Sequence, residues 1–116
     1  MSHKILIADD HRDSAESLAL LLQFLGHETR FALDGQEALR VAEQFHPDVI
    51  ILDINMPKLD GYGVTMRLRE LHDGEQQIIA MTAADKLETS EKAEQAGFDN
   101  WLVKPVDLEV LQRLMA

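Results

Sequence analysis

Apolar and polar positions run along this 116-residue chain in two rhythms, and the rhythms take turns. Short apolar runs predict strands at Lys4–Ala8, Glu28–Ala32, Val49–Asp53, Gln77–Thr82 and Asn100–Val103. Three of them (Ile5-Leu6-Ile7, Val49-Ile50-Ile51-Leu52 and Ile78-Ile79-Ala80-Met81) show no polar alternation, as expected of strands covered on both faces. Between the strands, apolar residues return at helical spacing. Ala15, Leu18, Leu22 and Leu25 form one stripe before Gly26, and Ala38, Val41, Ala42 and Phe45 form another before Pro47. Val64, Leu68 and Leu71 make a third, and Leu108, Leu111 and Met115 make the last. Residues 88–96 read as a weaker helix, with Ala93 and Ala96 as the clear apolar partners.

Start signals accompany these stripes. Asp13 with Glu16, Asp34 with Glu37 and Asp85 with Glu88 each set a capping acceptor three residues before a Glu. Asp107 is placed to cap the last helix, with Val106 and Leu111 spaced to staple it. Strict βα alternation implies an α/β fold with a parallel sheet, right-handed crossovers and helices on both faces. Five such units predict a single doubly wound (βα)5 sheet in the flavodoxin-like order 2-1-3-4-5, with its switch point between strands 1 and 3. The length suits one domain spanning residues 1–116, and no repeat or linker composition interrupts it.

Composition narrows the function. Twenty-one acidic residues against eleven basic ones give a net charge of −10, which repels phosphate backbones and argues against direct nucleic-acid binding. There are no cysteines, so disulfides and thiolate metal sites are excluded and a cytoplasmic setting is expected. The N-terminus carries no signal-peptide pattern, and no run approaches the roughly 20 apolar residues of a membrane span. The acidic excess reads either as plain solubility or as carboxylates gathered to hold a cation.

Topology favours the second reading. Sites in such sheets form outside the carboxyl ends of the strands. There strand 1 ends in Asp9-Asp10, strand 3 in Asp53, strand 4 in Thr82, and strand 5 in Lys104-Pro105. Each residue has an ordinary reading by itself. A lone Asp caps a helix or starts a turn, a lone Thr suits a strand, and a lone Lys is a solvated charge. Their coincidence on one edge is what carries weight. Carboxylates that close repel one another unless a cation lies between them, and hard oxygen ligands in small number suit Mg2+ better than a calcium cage. The five histidines show no two-His ligand spacing, so zinc or iron is not expected, and His11 is read as an ordinary loop residue.

The ordered set Asp9-Asp10, Asp53-Ile54-Asn55-Met56-Pro57-Lys58-Leu59-Asp60-Gly61, Met81-Thr82-Ala83 and Lys104-Pro105 resembles the response regulator receiver domain of two-component signalling. The match runs in register through essentially the whole chain. The resemblance implies a phosphoacceptor and not an enzyme. Asp53 would take a phosphoryl group from a phosphohistidine on a sensor histidine kinase or a histidine phosphotransfer protein. Asp10 and Asp53 would ligate Mg2+ with the backbone carbonyl of Asn55, and Asp9 would act largely through water. Thr82 and Lys104 would hold phosphoryl oxygens, and the bond before Pro105 would be cis. The family's aromatic switch position is Trp101 here, in place of the commoner Tyr or Phe. Asn55 and Ala84 occupy the places that flank the phosphoryl group, where Ala84 offers no polar group to position a water. The stretch 96–107 is similar to receivers attached to hybrid histidine kinases, which favours a phosphorelay role.

Three other readings compete with this one. A haloacid dehalogenase-type phosphohydrolase wants a second Asp two residues after the nucleophile, and position 55 is Asn. A flavodoxin-like cofactor binder needs a phosphate-cradling loop after strand 1, and Asp9-Asp10-His11-Arg12-Asp13 is acidic there. An interaction module with incidental phosphorylation stays open: the presence of every chemical residue argues against a degenerate receiver but does not show that a kinase uses it.

Overall fold

A computed structural model describes residues 2–54, 61–72, 76–82 and 97–115. Asn55, Ala84, the Asp85–Glu88 capping pair and the helix expected at 88–96 lie outside the described residues, as does the side chain of Leu71.

Strands form at the predicted bounds: β1 Lys4–Ala8, β2 Glu28–Ala32, β3 Val49–Asp53, β4 Gln77–Thr82 and β5 Asn100–Val103. They join in the order β2-β1-β3-β4-β5, each pair parallel. The described helices are α1 Arg12–Phe24, α2 Gly35–Phe45, α3 Gly61–His72 and α4 Leu108–Met115.

Side-chain alternation along the strands splits the core in two. Ile5, Ile7, Val49, Ile51, Ile79 and Met81 point to the face covered by Ala15, Ala19 and Leu22 of α1 and by Leu111 and Met115 of α4. Leu6, Ala8, Ile50, Leu52 and Ile78 point to the other face, against Ala38 and Ala42 of α2 and Val64 and Leu68 of α3. The apolar runs of β1, β3 and β4 are therefore buried on both sides, which is why they lack alternation.

Helix ends follow local chemistry. Asp34 accepts from the Glu37 amide at 2.8 Å and caps α2 as expected. Asp107 likewise accepts from the Glu109 amide at 2.9 Å at the start of α4, and Val106 packs on the core cluster that holds Leu111. The Asp13 cap is corrected. His11 is the N-cap of α1 and makes no side-chain cap bond, while Asp13 lies in the first turn. The reason is the Asp9 carboxylate, which accepts the His11 amide at 2.9 Å and turns the chain two residues early. At the other end of α1, Gly26 has φ +101, and the Gly26 and His27 amides return to Gln23 O at 3.0 Å and Leu22 O at 3.1 Å. That is a Schellman closure, and its left-handed position favours glycine.

Candidate functional site

The register of the parallel strands brings their carboxyl ends level. Asp53, the last residue of β3, lies opposite Met81, and Thr82, the last of β4, opposite Val103. Asp9 follows β1 directly, and its amide donates to Ala32 O at 3.1 Å. Asp9, Asp53 and Thr82 are 2%, 5% and 2% exposed, so two carboxylates and a hydroxyl are buried at one edge. Asp10 and His11 lie further out on the rim.

Lys104 reaches this edge from the end of β5. Its amide donates to Thr82 O at 2.8 Å, and the Lys104–Pro105 peptide is cis. Its Nζ lies 2.8 Å from Asp53 Oδ2 and 3.4 Å from Asp9 Oδ2. Burial alone would pull the Lys104 pKa down, but the hydrogen bond and charge of Asp53, then the charge of Asp9, outweigh it and hold it above the ordinary lysine value. The ammonium is thus kept charged where negative charge collects.

One ligand atom from each of Asp9, Asp10, His11 and Asp53 lies within 4.8 Å of the others. Three carboxylates against one ammonium leave two negative charges, the complement of a divalent ion. The oxygen donors are hard and few, which fits Mg2+ with retained waters. The carbonyl of Asn55 belongs to the undescribed segment.

Trp101 is partly buried on β5, opposite Ala80. Leu102 packs into the α1–α4 side of the core, so alternation sends Trp101 to the other face.

Two features escaped the sequence reading. A cleft of about 520 Å³ opens beside the site, with Asp9 and Lys104 at one end and Leu18, Leu21, Pro105, Val106 and Leu108 along its walls. No sequence pattern announces it, because its walls come from α1 and from the β5–α4 loop with the start of α4, some 85 residues apart. The second is the direction of the His11 ring.

A doubly wound α/β sheet with an acidic, lysine-paired pocket at its switch point defines a class of proteins whose chemistry takes place at the strand ends. Residues 5–116 match the family described as "Response regulator receiver domain". The chain belongs to that family and is a receiver domain of the two-component response-regulator type. Relatives include the transcriptional regulatory protein PrrA of Mycobacterium tuberculosis, 40% identical over 116 residues, covering 99% of this chain and 49% of PrrA. The sensor histidine kinase RcsC of Escherichia coli is 37% identical over 111 residues, covering 96% of this chain and 12% of RcsC. This chain thus spans about half of the one and a small part of the other. Among solved structures, the chemotaxis protein CheY4 of Vibrio cholerae aligns with TM-score 0.87 and 30% identity over 99% of this chain and 97% of that one. The receiver domain of the Francisella response regulator 1452 aligns with TM-score 0.83 and 32% identity, covering 94% of this chain and 89% of that one.

Proposed function

We propose that this chain, as one receiver domain over residues 1–116, accepts a phosphoryl group on Asp53 from a phosphohistidine. The donor is a sensor histidine kinase or a histidine phosphotransfer protein, and the change in the domain alters what binds it. The observation that carries this reading is the Lys104 ammonium, held 2.8 Å from Asp53 and 3.4 Å from Asp9 within a cluster of carboxylates.

In the transfer, the P–N bond to the donor imidazole breaks and a P–O bond to an Asp53 carboxylate oxygen forms. The electron pair of the broken bond stays on the ring nitrogen, which takes up a proton. Such a reaction asks the protein mainly for positioning and charge neutralisation. Lys104 moves from the Asp53 carboxylate to a phosphoryl oxygen, and the Thr82 hydroxyl donates to another. Asp10, Asp53 and the Asn55 carbonyl would hold Mg2+, with Asp9 acting through water, and the ion would supply charge neutralisation when bound. The chain's role is that of acceptor and switch, so no turnover is assigned to it. Trp101 is the candidate to report the switch.

The test uses the protein with Mg2+ and acetyl phosphate, read by intact mass and by the fluorescence of Trp101, the single tryptophan. One added phosphoryl group in the wild type and none in Asp53→Asn supports the assignment. An unmodified wild type under Mg2+ and donor overturns it.

A further inference from the structure

One side chain of the cluster has no task in the transfer. His11 is 73% exposed, yet its ring turns back over the acidic pair, with Nδ1 3.3 Å from Asp9 Oδ1 and 3.3 Å from Asp10 Oδ1. The Asp9 carboxylate accepts the His11 amide at 2.9 Å, so the turn that aims the ring is fixed by the protein itself. A ligand nitrogen of His11 also lies within 4.8 Å of an Asp53 oxygen. Neighbouring ligands on an octahedral ion with bonds of about 2.1 Å stand about 3 Å apart. The 3.3 Å spacing from His11 Nδ1 to Asp10 Oδ1 therefore suits adjacent corners of one coordination sphere.

We propose that His11 gives an imidazole nitrogen to the ion held by Asp10 and Asp53, making a mixed nitrogen–oxygen site that prefers Mn2+ and other first-row ions over Mg2+. This rests on the cation site of the proposed function. An all-oxygen set suits Mg2+, Ca2+ and Mn2+ alike, whereas imidazole favours first-row transition ions. Mg2+ also gives up water reluctantly, so it gains least from an extra protein ligand. A His11 that only hydrogen-bonds the carboxylates would affect all divalent ions alike and would never touch the metal.

The experiment loads the full chain with Mn2+ and records pulsed electron paramagnetic resonance for coupling to 14N. Mn2+ and Mg2+ affinities are titrated in parallel for wild type, His11→Asn and Asp53→Asn. The expected result is 14N coupling in the wild type that disappears in His11→Asn. With it, Mn2+ affinity should fall about ten-fold while Mg2+ affinity changes less than about two-fold. Mn2+ bound without histidine coupling, or equal losses for both ions, overturns the proposal and leaves the acidic cation site standing. A wild type that binds neither ion, or an Asp53→Asn variant that binds both unchanged, removes the cation site and the proposal with it. His11 is mostly exposed, so its replacement leaves the core intact, and unchanged circular dichroism checks this.

Discussion

His27 shows how one ring acquires a pH dependence from its backbone neighbour. Its Nδ1 accepts the His3 amide at 3.0 Å, which requires that nitrogen to be unprotonated. Burial first, and then the charge of His3, hold its pKa below the ordinary 6.5, while Asp48 pulls the other way and is outweighed. With the folded pKa lowered, the unfolded chain binds more protons in mild acid. The stability tied to neutral His27 is then fully present above about pH 6.5 and is lost as pH falls through the lowered value. Urea midpoints measured from pH 7.5 to 5.5 should decline in the wild type and decline less in His27→Gln. Parallel declines would remove His27 as the cause. His11, at the opposite edge, has the same side chain in a different setting, because there carboxylates and not a backbone amide meet the ring.

Helix α1 is apolar on more faces than the sheet requires. Leu22 is 0% exposed against the core, while Phe24, two residues on, is 88% exposed. Helical geometry accounts for the contrast, since positions two apart point about 200° from each other. Leu22→Ala should cost about 2–5 kcal/mol through a cavity, whereas Phe24→Ser should stay within about 0.5 kcal/mol. Denaturant unfolding of the two variants distinguishes them, and comparable losses would mean that Phe24 is packed in solution. The two ends of the helix set its length. Asp9 starts it, and the Gly26 closure stops it before β2.

At the scale of the whole molecule, Arg69 of α3 joins segments that lie apart in the chain. Its guanidinium donates to Gly97 O from Nε at 3.0 Å and from Nη2 at 2.8 Å, to Gln76 O at 2.6 Å and to Asp99 Oδ2 at 2.6 Å. Asp99 Oδ2 also accepts the Ile78 amide at 2.7 Å, so one ion pair ties α3 to the starts of both β4 and β5. The far ends of those strands carry Thr82 and Lys104, which gives the pair a bearing on the site without touching it. Arg69→Met should cost about 2–3 kcal/mol by leaving part-buried acceptors unmet. Phosphoryl uptake at Asp53 should survive in the folded fraction. Thermal unfolding and intact mass check the two halves separately, and an unchanged melting temperature would contradict the tie.

The sequence by itself determined the strands to the residue, the parallel order and the edge on which Asp9, Asp10, Asp53, Thr82 and Lys104 meet. These were legible because a strand buried on both faces must be continuously apolar, and because βα alternation leaves few topologies. Only the tertiary structure decided where α1 begins, since that depends on a carboxylate folding back onto an amide two residues ahead. It alone showed the Arg69 tie and the cleft beside Lys104, which join segments far apart in the chain. It also aimed the His11 ring at the acids. Periodicity reports which residues are buried against the sheet, but hydrogen bonds and ring directions are set by partners that only folding brings within reach.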